Sequence, residues 1–264
     1  MFDAAEYLKH LGYDGPRTPG LDTLRELHKR HVMTVPFDNS ANAAKGLAVW
    51  DEVDADVDVV FRRLITEGEG GVCHELNGIF RTLLAEFGFT YTLLAAGVRG
   101  PGGGFGPDLE HMLLSVPLDG ETWLVDVGFA GLSFVEPIRL SSDEQTQYGV
   151  TYRIVDQDGY HLLQYRGATG DWNDVYRFHD TPRELAEWKA VARIGQDDHE
   201  WNWAGEVIEA GTVVRSRGTE DGKLLLVGRR LLRQSSGVER MSVLVKAEDL
   251  AAAVTEIMHP RQEA

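Results

Sequence analysis

Residues 69–80 read EGGVCHELNGIF and hold the only cysteine of the 264-residue chain, Cys73. Two glycines precede it. After it, Leu76, Phe80, Leu83, Leu84 and Phe87 follow helical spacing, and Gly88 is placed to end the helix. The spacing therefore sets Cys73 at a helix N-terminus. There the helix dipole favours thiolate over thiol. Unpaired amides of the first turn can hold a developing oxyanion. Gly70 and Gly71 allow backbone and substrate to approach closely. The alternative is a small buried hydrophobe, the commoner fate of a lone cysteine.

A nucleophilic cysteine needs a histidine oriented by a carboxylate or amide. The chain has nine histidines. His74 adjoins Cys73, but neighbouring helix residues point in different directions. His28 and His31 fall on a helical stretch, LDTLRELHKRH, and read as core or surface residues. His111 and Asp126 stand apart. With Asp119-Gly120 as a two-residue turn between EHMLLSVPL and ETWLVDVGF, Asp126 faces Leu113. His111 shares the face of Leu113, so His111 and Asp126 become diagonal cross-strand neighbours. A structural hydrogen bond explains that pair alone. A Cys73–His111–Asp126 triad explains the pair and the helix-start cysteine together.

The remaining pattern falls into three parts, expected at 1–88, 89–180 and 181–264. The first is helical: Asp3 with Glu6 resembles a capping box, Gly12 suits a helix end, and Pro36 in VPFDN breaks the second helix. A third helix is expected over VDVVFRRLITE. The second part is strand-rich, with YTLLAAGV, the His111–Asp126 hairpin, and TYRIVD and YHLLQYR flanking Asp158-Gly159. The third is mixed: a helix in PRELAEWKAVARI, strands in GTVVRSR and KLLLVGRRLLR, and a helix in AEDLAAAVTEIM. The glycine-rich GPGGGFGP (100–107) lacks the lysine and spacing of a P-loop and reads as a loop.

Composition narrows the function. A net charge of -16 argues against nonspecific nucleic-acid binding. No apolar run is long enough for a membrane span. MFDAAEYLKHLG has no basic region followed by an apolar stretch, so no signal peptide is expected. One cysteine forms no internal disulfide, which fits a reducing cytoplasm. Neither HExxH nor a recognised ligand set is present, so no metal is expected.

The stretches YLKHLGYDGPRTPGLDTLRELHKRHVMTVPFDN, GGVCHELNGIF, EHMLLSV and WLVDVGF, in that order and spacing, resemble the arylamine N-acetyltransferase family. The resemblance implies an α+β, cysteine-protease-like fold: a helical domain, a β-barrel domain and an α/β lid. It places nucleophile, base and orienting acid on Cys73, His111 and Asp126, and substrate contacts on Phe37, Gly71, Val72 and Phe129. It implies ping-pong acyl transfer, with an acyl-cysteine formed from a thioester and then passed to an aromatic amine or hydrazine.

Two features depart from the family pattern. Glu69 stands where an arginine is usual, and His74 where an aromatic residue is usual. The third part also lacks the usual STHP-like stretch, the nearest segment being DDHEWNWAGEV. GGVCHELN and VDVGFAGLSFVEP look more like the amide-synthase branch, which releases ansamycin-type polyketides by joining a carrier-bound acyl thioester to an aromatic amine on the same chain. The implied donor is then a phosphopantetheine thioester on a polyketide synthase acyl carrier protein, with no permanently bound cofactor. The alternative is an arylamine N-acetyltransferase using acetyl-coenzyme A. A cysteine hydrolase or transglutaminase is a more distant reading. Either anionic donor needs local cations. Arg229, Arg230 and Arg233 in GRRLLRQ are candidates, although a solvated strand end explains them equally simply.

Overall fold

The computed structural model describes residues 1–100, 102–168, 170–191 and 211–259. Four α-helices come first. α1 (Ala4–Leu11) is capped by Asp3, whose carboxylate accepts from the amides of Ala5 and Glu6 at 2.8 and 3.1 Å. Glu6 does not complete a capping box. Its carboxylate accepts from the Thr66 hydroxyl, tying α1 to a later turn. Gly12, at φ 64°, ends the helix. α2 (Leu21–Thr34) stops at Val35, just before Pro36. α3 (Val57–Phe61) runs into a wider π turn over Arg62–Thr66, so the helix expected over 57–67 is present in two geometries. α4 (Cys73–Glu86) begins at the cysteine. Leu24, Leu27, Phe61, Leu64, Leu76, Phe80 and Leu83 bury the facing sides of α2, α3 and α4 in one apolar core.

An eight-stranded antiparallel sheet follows. Its strands are β2 (Thr92–Val98), β3 (His111–Leu118), β4 (Glu121–Val125), β5 (Ile138–Arg139), β6 (Gln145–Gln147), β7 (Val150–Gln157), β8 (Tyr160–Arg166) and β9 (Asn173–Phe178), in the order β5-β4-β3-β2-β9-β8-β7-β6. Both expected Asp-Gly turns form. Asp119 and Gly120 have φ of 53° and 80°, and Asp158 and Gly159 have 53° and 83°, the left-handed pair that a two-residue hairpin requires. The two sheet edges meet through a side chain: the Arg139 amide donates to Gln145 Oε1, and Gln145 Nε2 donates to the Arg139 carbonyl. The result is a nearly closed barrel.

A five-stranded sheet is ordered β1-β10-β11-β12-β13, from β1 (Phe37–Asp38), β10 (Val214–Thr219), β11 (Gly222–Val227), β12 (Arg230–Ser235) and β13 (Val238–Val243). α5 (Leu185–Val191) carries the fully buried Trp188, which packs with Val49, Trp50, Val72 and Met112. α6 (Ala247–Met258) covers β11 and β12 through Leu224, Leu226, Leu231, Ala253 and Ile257. The segment DDHEWNWAGEV (197–207) and the end of PRELAEWKAVARI lie outside the described residues. Among the described residues no helix is long and apolar enough to cross a membrane.

Candidate active site

The hairpin of β3 and β4 has the register expected from its turn, with Leu118 opposite Glu121 and Leu114 opposite Val125. His111 opens β3, and Asp126 follows the last residue of β4. They meet as diagonal neighbours: His111 Nε2 lies 2.7 Å from Asp126 Oδ2, and the two residues are 3% and 2% exposed. A buried carboxylate needs hydrogen bonds as well as a counter-charge. Asp126 Oδ1 accepts from the Gly128 amide at 3.1 Å and from Asn77 Nδ2 at 3.3 Å. Asn77 also donates to the Met112 carbonyl and accepts from the Val127 amide. One turn of α4 separates Asn77 from Cys73, so a single amide locks the hairpin to the cysteine's helix.

The chain after Asp126 crosses the start of α4 very closely. A Cβ on Gly128 would lie 2.8 Å from Cys73 Cα and 2.6 Å from Asn77 Nδ2. Only glycine allows that approach. The helix start is held by Glu75, whose Oε2 accepts from the Val72 amide at 3.0 Å and whose Oε1 accepts from Arg63 at 2.6 Å. Arg63 also bonds Glu69 at 2.9 Å. A guanidinium thus sits at this helix start although position 69 is acidic; it comes from the preceding π turn.

The electrostatics favour a charged pair. Burial opposes ionisation of Cys73, but hydrogen bonding from His111 and His74, and their charges, outweigh it and lower the thiol to about 6. Burial likewise disfavours charge on His111, but the charge and hydrogen bond of Asp126 prevail and raise it to about 10. Both shifts favour thiolate beside imidazolium over thiol beside neutral imidazole. Asp126 holds Nε2, so Nδ1 is the ring nitrogen left for the sulfur. His74 acts on the thiol in spite of being adjacent in a helix, which the reading from helix geometry alone discounted. Its ring is buried and lies 5.3 Å from that of Trp50.

Cys73 opens into a cleft of about 860 Å³, its mouth included, lined mainly by apolar groups. Phe37, Val72 and Phe129 are in its wall with His74, Trp50 and His111. Phe37 leaves the helix at Pro36 and enters β1. Phe129 sits edge-on to His111 and to Tyr176, with ring centres at 5.2 and 5.3 Å. Gly71 is buried behind the wall. Its amide donates to the Pro36 carbonyl, and its carbonyl accepts from the Asp38 amide, so it anchors the strand that carries Phe37.

Two buried residues beneath the site had no signal in the sequence. His28 on α2 takes the Asp126 amide at Nε2 (3.1 Å) and bonds the Val135 carbonyl at Nδ1 (2.8 Å). Burial pushes its pKa down to about 4, which keeps it neutral. Lys223 on β11 donates from Nζ to the Phe129 carbonyl. Each lies about a hundred residues from its partner, beyond any local pattern. Away from the cleft, Arg233 pairs with Glu256, and Arg229 bonds the carbonyls of Leu244 and Val245. Both arginines brace α6 and its approach.

A helix-start cysteine thus stands beside a strand-borne His–Asp pair at the junction of a helical bundle and a barrel. An N-acetyltransferase family model matches residues 20–259. The chain belongs to the arylamine N-acetyltransferase family, and it is an N-acyltransferase resembling the amide-synthase branch. It is 35% identical over 260 residues to proansamycin X synthase of Amycolatopsis mediterranei (strain S699), covering 98% of this chain and 97% of that protein. The arylamine N-acetyltransferase of Mycobacterium abscessus superposes with a TM-score of 0.81 at 26% identity, over 100% of this chain and 91% of the other. The Mycobacterium marinum enzyme, solved in complex with coenzyme A, shares the fold at a TM-score of 0.79 and 24% identity, over 97% and 93% of the two chains.

Proposed function

We propose that this protein is an amide synthase that releases and cyclises an ansamycin-type polyketide, using Cys73 as nucleophile, His111 as acid and base, and Asp126 as orienting acid. The observation that carries the chemistry is the 2.7 Å His111–Asp126 contact beside a cysteine at the first position of α4. The thiolate attacks the carbonyl of an acyl thioester. In this reading first-turn amides of α4 hold the oxyanion. The donor C–S bond breaks, and the leaving sulfur takes the His111 proton. Acyl-Cys73 and a neutral His111 result. An aromatic amine then attacks the acyl carbon, His111 takes the N–H proton, and the Cys73 C–S bond breaks. The products are an amide and the restored thiolate–imidazolium pair.

The branch is favoured by nearly end-to-end similarity to proansamycin X synthase, whose name describes an ansamycin-forming enzyme. The donor in this reading is a phosphopantetheine thioester on an acyl carrier protein, and the amine is on the same acyl chain. The largely apolar cleft suits an aryl group held by Phe37 and Phe129. A second reading, acetylation of small arylamines from acetyl-coenzyme A, is favoured by the match to the mycobacterial enzymes. Purified protein given a long-chain thioester ending in an aniline, beside acetyl-coenzyme A with free aniline, separates the two. The amide synthase cyclises the long thioester with the higher kcat/KM. Efficient acetylation with no turnover of the long thioester selects the acetyltransferase.

A further inference from the structure

Lys223 is 7% exposed, and its strand neighbours Leu224 and Leu226 belong to an apolar cluster. A lysine is seldom buried unless its charge is answered. Its Nζ donates to the Phe129 carbonyl and lies 5.9 Å from the centre of the Phe129 ring. The carbonyl belongs to the turn that follows Asp126, and Asp126 is the charge that sustains the ammonium. Burial lowers Lys223 to about 8, with Asp126 opposing, so it is charged at neutral pH. Its charge also helps to keep His28 unprotonated. His111 is faced by Asp126, by Cys73 and His74 from α4, and by Tyr176 from β9. Glu110 lines the same cleft and accepts from the Val98 amide.

We propose that Lys223 is a positioning residue that answers the charge of Asp126 while Cys73 is acylated, so that His111 can stand neutral to receive the proton of the amine, and that its hydrogen bond to the Phe129 carbonyl fixes the ring facing His111. The buried ammonium, bonded to the carbonyl three residues after Asp126, sets the charge balance of the site. Of the groups that act on Asp126, His111 and Lys223 are the cations, and the Cys73 thiolate is the second anion acting on His111. Acylation removes the charge of the sulfur, and the leaving thiol carries off the His111 proton. Among the described residues, Lys223 is then the cation that still acts on Asp126, beside the hydrogen bonds from Asn77 and the Gly128 amide. Without the ammonium, the unanswered carboxylate would draw a proton back onto His111 and block the base. Lys223 itself exchanges no proton in either half-reaction. This inference rests on the acyl-Cys73 reading.

The test uses acyl-enzyme formed with a p-nitrophenyl ester, freed of excess ester and mixed with aniline in single turnover across a pH series. Formation of the wild-type adduct is measured beforehand and examines the triad separately. Decay is counted per acylated molecule, so a partly unfolded preparation does not distort the rate. A more basic His111 is neutral only at higher pH. In K223M the rising limb of decay should therefore move up by on the order of one pH unit, with decay roughly tenfold slower below it. Acylation of the same variant should slow less than decay. K223R, which restores the charge, should return the limb toward the wild-type position. Decay of K223M along the wild-type pH profile would overturn the proposal. So would equal slowing of both half-reactions with the limb unmoved.

Discussion

The two sheets reach the cleft in different ways. The eight-stranded sheet contributes His111 and Asp126 from one hairpin, fifteen residues apart, aligned by a two-residue turn. The five-stranded sheet contributes from an edge and an interior: β1 brings Phe37 by pairing with β10, and β11 brings Lys223 under the Phe129 carbonyl. The first contribution is short-range and set by strand alternation. The second joins residues from opposite ends of the chain. In the proposed reading the base and its orienting acid thus sit on the locally specified element, and support and cleft shape come from the long-range one. Substitutions in the two regions should differ in kind as well as in size.

The sharpest break is at the hairpin. Asp126→Asn keeps the size of the side chain but favours the wrong imidazole tautomer and withdraws the charge that raises His111. By analogy with serine triads, amide formation should fall on the order of a thousandfold. A loss under about tenfold in steady-state turnover would make Asp126 structural.

The pH dependence follows from the same pair. A thiol alkylates as thiolate, so its rate rises as pH passes upward through its pKa. With Cys73 lowered to about 6, iodoacetamide labelling should be near its plateau at neutral pH and fall away in acid. A rise that begins only in the ordinary cysteine range would remove the ion pair. Asp126→Asn should move the rise upward, linking both measurements to one contact.

Packing at the junction gives a smaller effect. Gly128→Ala forces a methyl against Cys73 Cα and Asn77, and should cost about 1–3 kcal/mol in urea unfolding. Because the strain falls on the helix start, activity should drop further than stability alone explains. Unchanged stability and activity would mean that the crossing is looser than described.

On the outer sheet the effect should be smallest. Arg233 and Glu256 form a half-exposed pair, so Arg233→Ala should change stability by less than about 1 kcal/mol. Turnover of a small thioester should stay the same. Loss confined to a carrier-bound substrate would make that face a docking surface.

Much of the site was legible because its rules are local. Gly70-Gly71 before an apolar helical period marked the start of α4, and Asp119-Gly120 fixed the hairpin register that brings His111 to Asp126. What escaped was set by distance in sequence or by side-chain direction. Asn77 was visible as a polar residue one turn beyond Cys73, yet its bonds to Met112, Asp126 and Val127 depend on how the hairpin docks. His74 was discounted on helix geometry, although at the first turn a ring can fold back toward its neighbour's sulfur. His28 and Lys223 meet the site only through tertiary packing, as does Arg63 beside Glu69. The backbone of Gly71 bonds Pro36 and Asp38, a long-range pairing that its place in the motif does not show.

The central claim is that acyl groups pass through Cys73, and mass spectrometry examines it directly. Intact protein incubated with an aryl thioester and no amine should gain one acyl mass, mapped to the Cys73 peptide. That mass should disappear on adding an aromatic amine, with one amide formed for each adduct lost, and Cys73→Ala should show neither event. Amide formation by the alanine variant, or by wild-type protein with no adduct on Cys73, would contradict the account.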